Sequence, residues 1–178
     1  MSLLRRAAEP PGGQPSEVLV SVAVEDDLEV ADEDDGPFEP GRWAGLARAV
    51  LATEGVLGPA ELTLTFVDEA SISELNKRWM GEEGPTDVLS FPLDGAEPQL
   101  PGVPRLLGDV VLCPAVARRY AHSHARRAED ELALLVVHGV LHVLGHDHAE
   151  AQEEAAMHAR EDHHLRLHHD PAWTRSAS

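Results

Sequence analysis

The alternation of apolar and polar residues predicts four β-strands. Two segments alternate strictly, which predicts half-buried strands over residues 17–24 and around residues 62–66. A third strand is predicted over residues 87–92. The continuous apolar run over residues 108–113 predicts a fourth strand that is covered on both faces.

Helical periodicity occupies most of the remaining chain. It covers residues 40–53, where Pro40 suits the first turn, and residues 69–80, where Asp68 can cap the helix. From Pro114 the pattern is helical almost to the end, with breaks expected near Ala125 and at Gly145. The order β-α-β-α-β-β-α-α-α predicts an α+β fold, a small, mostly four-stranded sheet packed with about five helices.

Length and composition favour a single domain. The chain has 178 residues, and 43% of them are hydrophobic, which is enough for one core. We expect a flexible N-terminal extension over residues 1–16, a domain over residues 17–165 and a C-terminal tail over residues 166–178. The single cysteine, Cys113, lies in an apolar run and is expected to be a buried small hydrophobe in a reducing compartment.

No segment resembles a signal peptide or a membrane span. The longest uncharged apolar run, residues 132–145, is shorter than the roughly 20 residues that a spanning helix needs. We therefore expect a soluble, cytoplasmic protein that does not bind membranes.

The net charge of −18 argues against a broad basic face for nucleic acid and leaves only a local basic cleft. Acids concentrate in residues 25–39, which is typical of a solvated loop. The one dense basic cluster can either meet phosphates or form a solvated helix face. It comprises Arg118, Arg119, Arg126 and Arg127.

Histidines within the most apolar helix carry the candidate chemistry. His138 and His142 are four residues apart, so their imidazoles lie on one helix face, about 6 Å apart along the axis. Because burying two unpartnered imidazoles is costly, a bound metal ion is the favoured explanation. The alternative is a pair of core histidines that are hydrogen-bonded to backbone.

Gly145 can end this helix and bring His148 to the same ion. Three imidazoles with a fourth position open to water form a catalytic zinc site, whereas a structural site has four protein ligands. His146 is the competing third ligand, and Asp147 either orients a ligand or caps the turn. Nickel or cobalt would accept the same donors.

The spacing HxxxHxxGxxH is that of the metzincin proteases, with one difference. Their first histidine is followed by a glutamate that acts as general base, and this chain has Gly139 there. A peptidase is therefore disfavoured.

Two longer segments resemble one family. The run from His138 to His148 is similar to the HGxLHLxGxDH signature of the YbeY-type endoribonucleases, which are bacterial rRNA maturation factors. Leu75-Asn76, followed by PTDVLSFP over residues 85–92, resembles their second signature, and LGDV over residues 107–110 resembles a third segment.

This resemblance, over roughly residues 17–165, implies a metal-dependent endoribonuclease specific for single strands. It implies action on an rRNA precursor in 16S rRNA 3′-end maturation and ribosome quality control, with the small subunit or assembly factors as partners and no role on DNA. His138, His142 and His148 match the family's ligands for one zinc ion. The family's functional arginine corresponds to Met80, so Arg78 is the substitute catalytic candidate. It lies some 200° round the helix from residue 80, which favours the alternative of a solvated surface residue.

Two other functions remain open. One is a zinc hydrolase that acts on a substrate other than RNA. The other is a non-catalytic ribosome assembly module in which zinc only braces the fold. The C-terminal histidines, which lack an apolar framework, are expected to be exposed. They are His163, His164, His168 and His169.

Overall fold

The computed structural model describes residues 5–6, 18–25, 28, 38–93, 103–146 and 150–175. Within these ranges the chain forms five strands and five helices. The strands are β1 (Arg5–Arg6), β2 (Val18–Val24), β3 (Ala60–Phe66), β4 (Val88–Pro92) and β5 (Arg105–Leu112). The helices are α1 (Pro40–Thr53), α2 (Glu69–Trp79), α3 (Pro114–Ser123), α4 (Ala128–Val143) and α5 (Ala151–His168).

The strands form one mixed sheet in the order β1-β2-β3-β5-β4. Strands β2, β3 and β5 run parallel, whereas β1 and β4 are antiparallel edge strands. The α+β class, the four principal strands and the five helices are confirmed. Strand β1 adds two residues of the predicted extension, 1–16, to the sheet; the rest of that segment lies outside the described residues.

The two faces of the sheet carry different layers. The larger core cluster joins one face to α1, α4 and α5 and includes the fully buried Leu64, Val110 and Leu141. A smaller cluster on the other face holds Ile72 of α2 and the buried Cys113. The expected burial of Cys113 is confirmed, and burial raises the pKa of its thiol.

Local sequence signals set the helix ends. The carboxylate of Asp68 accepts a hydrogen bond from the backbone N–H of Ser71 and caps α2. Ala125 and Gly145 both have positive φ, and they separate the last three helices at the predicted breaks. Most of the acidic segment 25–39 lies outside the described residues.

Helix α4 lies very close to the sheet at Gly139. A Cβ atom built there would lie 2.4 Å from Cγ1 of Val110 in β5 and 3.3 Å from Oγ of Ser90 in β4. The Ser90 hydroxyl also donates a hydrogen bond of 3.2 Å to the Gly139 carbonyl. A glycine is therefore required where α4 crosses β4 and β5.

The C-terminal segment is packed onto the domain. Trp173, within the predicted tail 166–178, is buried in the larger core cluster. The carboxylate of Asp130 in α4 lies 2.8 Å from Nε2 of His169 and accepts hydrogen bonds from Arg127. The packed unit thus extends to at least residue 175. Of the helices described, none is both long enough and apolar enough to cross a membrane.

Replacing the two mid-helix glycines by alanine tests this packing. Gly45→Ala in α1, where the new methyl meets nothing within 4 Å, should raise the free energy of unfolding by up to about 1 kcal/mol. Gly139→Ala should lower it by about 1–3 kcal/mol, because the methyl overlaps a stiff valine. Urea denaturation measures both, and equal shifts would contradict the close approach of α4.

A second prediction concerns pH and the link between α4 and α5. Burial raises the pKa of Asp130, but the hydrogen bonds to Arg127 and His169 outweigh it and bring the pKa below its ordinary value. A depressed pKa stabilises the fold above the unfolded-state pKa of about 3.9, and this contribution disappears as the pH falls through the folded value.

Asp130→Asn should therefore be less stable than wild type near neutral pH, with a deficit that shrinks below about pH 4. Urea denaturation across this pH range measures the difference. A deficit that does not change with pH would show that the carboxylate charge has no part in it.

Candidate active site

His138 and His142 lie side by side near the end of α4. Their ring centroids are 4.5 Å apart and the ring planes meet at 70°. Both side chains line a groove at the β4 edge of the sheet. His148, the third expected ligand, lies outside the described residues.

A buried carboxylate from α5 orients His138. Oε1 of Glu161 is 2.6 Å from Nδ1 of His138, and Oε2 accepts a hydrogen bond of 2.6 Å from Arg175. Burial raises the pKa of Glu161, but the hydrogen bond to His138 and the charge of Arg175 outweigh it, and the pKa lies below its ordinary value. Because an ionised carboxylate only accepts, the Nδ1 atom of His138 carries a proton, and Nε2 is the ring atom available to a metal ion.

The wall opposite α4 comes from the PTDVLSFP segment and from the end of α2. The backbone N–H of Val88 donates to the carboxylate of Asp87, and Cys113 N–H donates to the Asp87 carbonyl, which fixes the start of β4. The Nδ2 amide of buried Asn76 donates a 3.0 Å hydrogen bond to the Gly84 carbonyl and holds the preceding turn. The described lining comprises Asn76, Met80, Glu82, Thr86, Val88, Leu89, Ser90, Pro92, His138 and His142.

This lining carries no lysine or arginine among the described residues, and Met80 lies on it. Arg78 lies elsewhere: it lines a separate groove with Glu74 and Val111, and its guanidinium carbon is 5.3 Å from the centre of the Trp79 ring. Residues 78 and 80 thus line different grooves, as their spacing on the helix predicts. A catalytic role for Arg78 at the histidine groove stays a prediction.

His146, the competing third ligand, faces α1 and α5. Its Nε2 is 3.3 Å from Oε2 of Glu54, which also accepts a 2.7 Å hydrogen bond from Arg160. Nε2 of His164 is 2.7 Å from the other Glu54 oxygen. Burial raises the pKa of Glu54, but these neighbours lower it below its usual range.

The exposure expected for the C-terminal histidines is wrong for two of them. The side chain of His164 is 0% exposed and that of His169 is 3% exposed. Carboxylates distant in sequence, Glu54 and Asp130, supply the polar partners that make this burial possible. Nothing in the sequence of α5 itself indicates that these two carboxylates lie next to it.

Three of the four arginines in the dense basic cluster pair with carboxylates of the protein. Arg119 pairs with Glu69, Arg126 with the buried Glu131, and Arg127 with Asp130. Arg126 also lies over the Trp173 ring, 4.8 Å from its centre. These contacts favour structural roles for the three arginines over phosphate binding.

The described donors match the chemistry of a zinc site in part. Two adjacent imidazoles, one held by a carboxylate, are the ligand and support arrangement that zinc prefers. Within the ranges that the structure describes, no group of three or more histidine, cysteine, aspartate or glutamate side chains is arranged to hold an ion. The segment 147–149, which contains the third expected donor, is outside those ranges.

The proteases' glutamate has no room in this fold. Any side chain at residue 139 would meet Val110 and Ser90, so the position after the first histidine faces the sheet and not the groove. The general base of a peptidase is therefore excluded by packing as well as by sequence.

Sequence reasoning missed Glu161 and Arg175. Glu161 occupies a buried stripe of α5 with Met157 and Leu165, at intervals of four residues. The available signal was a glutamate on an otherwise apolar helix stripe. The adjacent charged residues Arg160 and Asp162 make that stripe hard to recognise from the sequence. Nothing in the local sequence links it to a histidine 23 residues earlier.

Several known proteins are similar to this chain in sequence or in fold. The family model for Endoribonuclease YbeY matches residues 31–168. A protein from Thermobifida fusca named Endoribonuclease YbeY is 47% identical over 133 residues, which cover 73% of this chain and 86% of the relative. One of the same name from Beutenbergia cavernae is 48% identical over 132 residues, covering 72% and 88%.

Among solved structures, that of TM1509 from Thermotoga maritima matches with a TM-score of 0.53 at 23% identity, covering 83% of this chain and 87% of that one. This likeness bears on the fold alone. Identity near one half over most of both chains, together with the family match, establishes common descent. The chain belongs to the endoribonuclease YbeY family.

Proposed function

We propose that the protein is a zinc-dependent endoribonuclease that cleaves single-stranded RNA. Its substrate is an rRNA precursor, in 16S rRNA 3′-end maturation and ribosome quality control, and it works in the cytoplasm on the small ribosomal subunit or with assembly factors. Family membership supports the nuclease activity. The observation that carries the metal dependence is the pair of imidazoles beside a groove, one of them held by buried Glu161.

His138, His142 and His148 would hold the ion. A bound zinc ion supplies a Lewis acid and a water of lowered pKa, and it brings positive charge to a lining that has no lysine or arginine among its described residues. Glu161 keeps the proton of His138 on Nδ1 and holds the ring in place.

The groove suits a phosphodiester better than a peptide. RNA carries its own nucleophile, the 2′-hydroxyl, and so depends less on a protein base than peptide hydrolysis does. Residue 139 cannot supply such a base, because the sheet occupies the space. Ser90 is committed to the Gly139 carbonyl, so it shapes the wall beside the histidines.

A non-catalytic assembly module is the second candidate. The absence of basic side chains from the described lining of the groove favours it, since phosphate would find no fixed cation there. A zinc ion that only braces the fold should lower the melting temperature sharply when it is removed, whereas a catalytic ion should leave most of the fold intact.

His142→Ala should remove bound zinc and abolish cleavage of single-stranded RNA, because a ligand is lost. Elemental analysis and an RNA digest measure the two effects, with a peptide substrate assayed in parallel. The matched control is His122→Ala, an exposed histidine on α3, which should keep both properties. Unchanged cleavage by metal-free His142→Ala would refute the catalytic role of the ion.

Glu161→Gln should weaken zinc binding about 10- to 100-fold, since the amide holds His138 less firmly and without charge. Competition with a chromophoric chelator gives the zinc affinity. Glu131→Gln is the control: it also alters a buried carboxylate paired with an arginine, but away from the groove. If both variants bind zinc as wild type does, Glu161 has no positioning role.

A further inference from the structure

Trp79 is unusually exposed for a large aromatic residue. The protein has three tryptophans. Trp43 and Trp173 are each 5% exposed, whereas Trp79 is 59% exposed at the end of α2. An indole with this exposure offers an aromatic face on which a ligand can stack.

The ring is held in place on one side. Trp79 meets Phe91 of β4 edge to face, with ring centroids 6.0 Å apart and planes at 67°. Phe91 is half-buried against the smaller core cluster, which fixes it to the sheet. Trp79 is therefore supported on one side by Phe91, and much of its remaining surface is exposed.

Arg78 completes the platform with a positive charge. Its guanidinium lies over the Trp79 ring at 5.3 Å. Neighbouring cations are neutralised: Lys77 pairs with Glu83 at 3.0 Å, and Arg119 pairs with Glu69. Across the described part of the chain, no carboxylate lies within ion-pair distance of Arg78, which is notable in a protein of net charge −18.

The platform lies close to the histidine groove, on the opposite face of β4. On α2, Asn76 and Met80 line the groove on either side of Trp79 in sequence. On β4, Ser90 and Pro92 line it on either side of Phe91. Because side chains alternate along a strand, Phe91 points to the opposite face of β4 from Ser90 and Pro92, and the Trp79–Phe91 pair lies behind the groove wall.

We propose that Trp79 and Arg78 form a subsite that stacks an unpaired nucleobase on the face of β4 opposite the histidine groove. Aromatic rings that bind single strands without sequence preference stack on bases in this way, with an arginine adding cation–π and phosphate contacts. A base within a duplex has both faces covered, so the subsite discriminates for single strands. That the polymer is RNA rests on the function proposed above.

Tryptophan fluorescence tests the subsite directly, because stacking quenches indole emission and the other two tryptophans are buried. The probes are a 2′-O-methyl oligoadenylate, which lacks the 2′-hydroxyl nucleophile, and an abasic oligonucleotide of equal length and charge. Adenylate should quench wild-type emission saturably. The abasic strand should quench little and bind about tenfold more weakly.

Variants separate stacking from general loss of structure. Trp79→Ala should bind the adenylate about tenfold more weakly and the abasic strand as wild type does, while Trp79→Phe should keep most of the affinity. Anisotropy of labelled strands measures these affinities. Tyr120→Ala, which removes another exposed aromatic residue on α3, is the matched control and should change neither. Thermal denaturation checks that each variant is folded.

Equal affinity of wild type for the two strands, or adenylate binding by folded Trp79→Ala that matches wild type, would overturn the proposal. Neither result depends on cleavage. A failed subsite therefore leaves the His142→Ala prediction standing, and a failed nuclease assay leaves the stacking measurement valid.

Discussion

The contact between α4 and the sheet at Gly139 is the constraint on which the site depends. The helix carries His138 and His142, and β4 forms a wall of the groove. The absence of a side chain at residue 139 lets the helix backbone come within hydrogen-bond distance of Ser90. The HGxLH and PTDVLSFP segments are far apart in sequence, and this contact makes them two sides of one groove. A larger side chain there would separate them.

Buried charge pairs support the same arrangement from behind. Glu161 and Glu54 on one side of α4, and Asp130 at its beginning, each bind a histidine and an arginine. In each case the partners outweigh the cost of burying the carboxylate, so its pKa is lowered. Such pairs contribute little net stability. Removing one partner is nevertheless destabilising, because it leaves a buried charge without a compensating one. They therefore fix where α5 lies against α4, and with it the orientation of His138.

The charge distribution explains how so acidic a protein can belong to a nuclease family. Three arginines of the basic cluster serve internal ion pairs, and the described lining of the groove is nearly uncharged. A phosphate would thus meet neither a basic face nor a wall of carboxylates there. In the function proposed here, an ion at the histidines and a stacked base would recognise RNA in place of a positive surface potential.

Local patterns in the sequence determined much of the fold. Alternation and helical period located the four principal strands and the five helices, Asp68 capped α2, and Ala125 and Gly145 marked the breaks, because these signals act between residues close in the chain. The two histidines one turn apart also needed only helical geometry. Tertiary packing decided the rest: Glu161 behind His138, the burial of His164 and His169, and the exposure of Trp79 on the opposite side of β4 from the groove. These features depend on residues that are dozens of positions apart in the chain and come into contact only when the helices pack on the sheet. Local hydrophobic periodicity carries no information about such contacts.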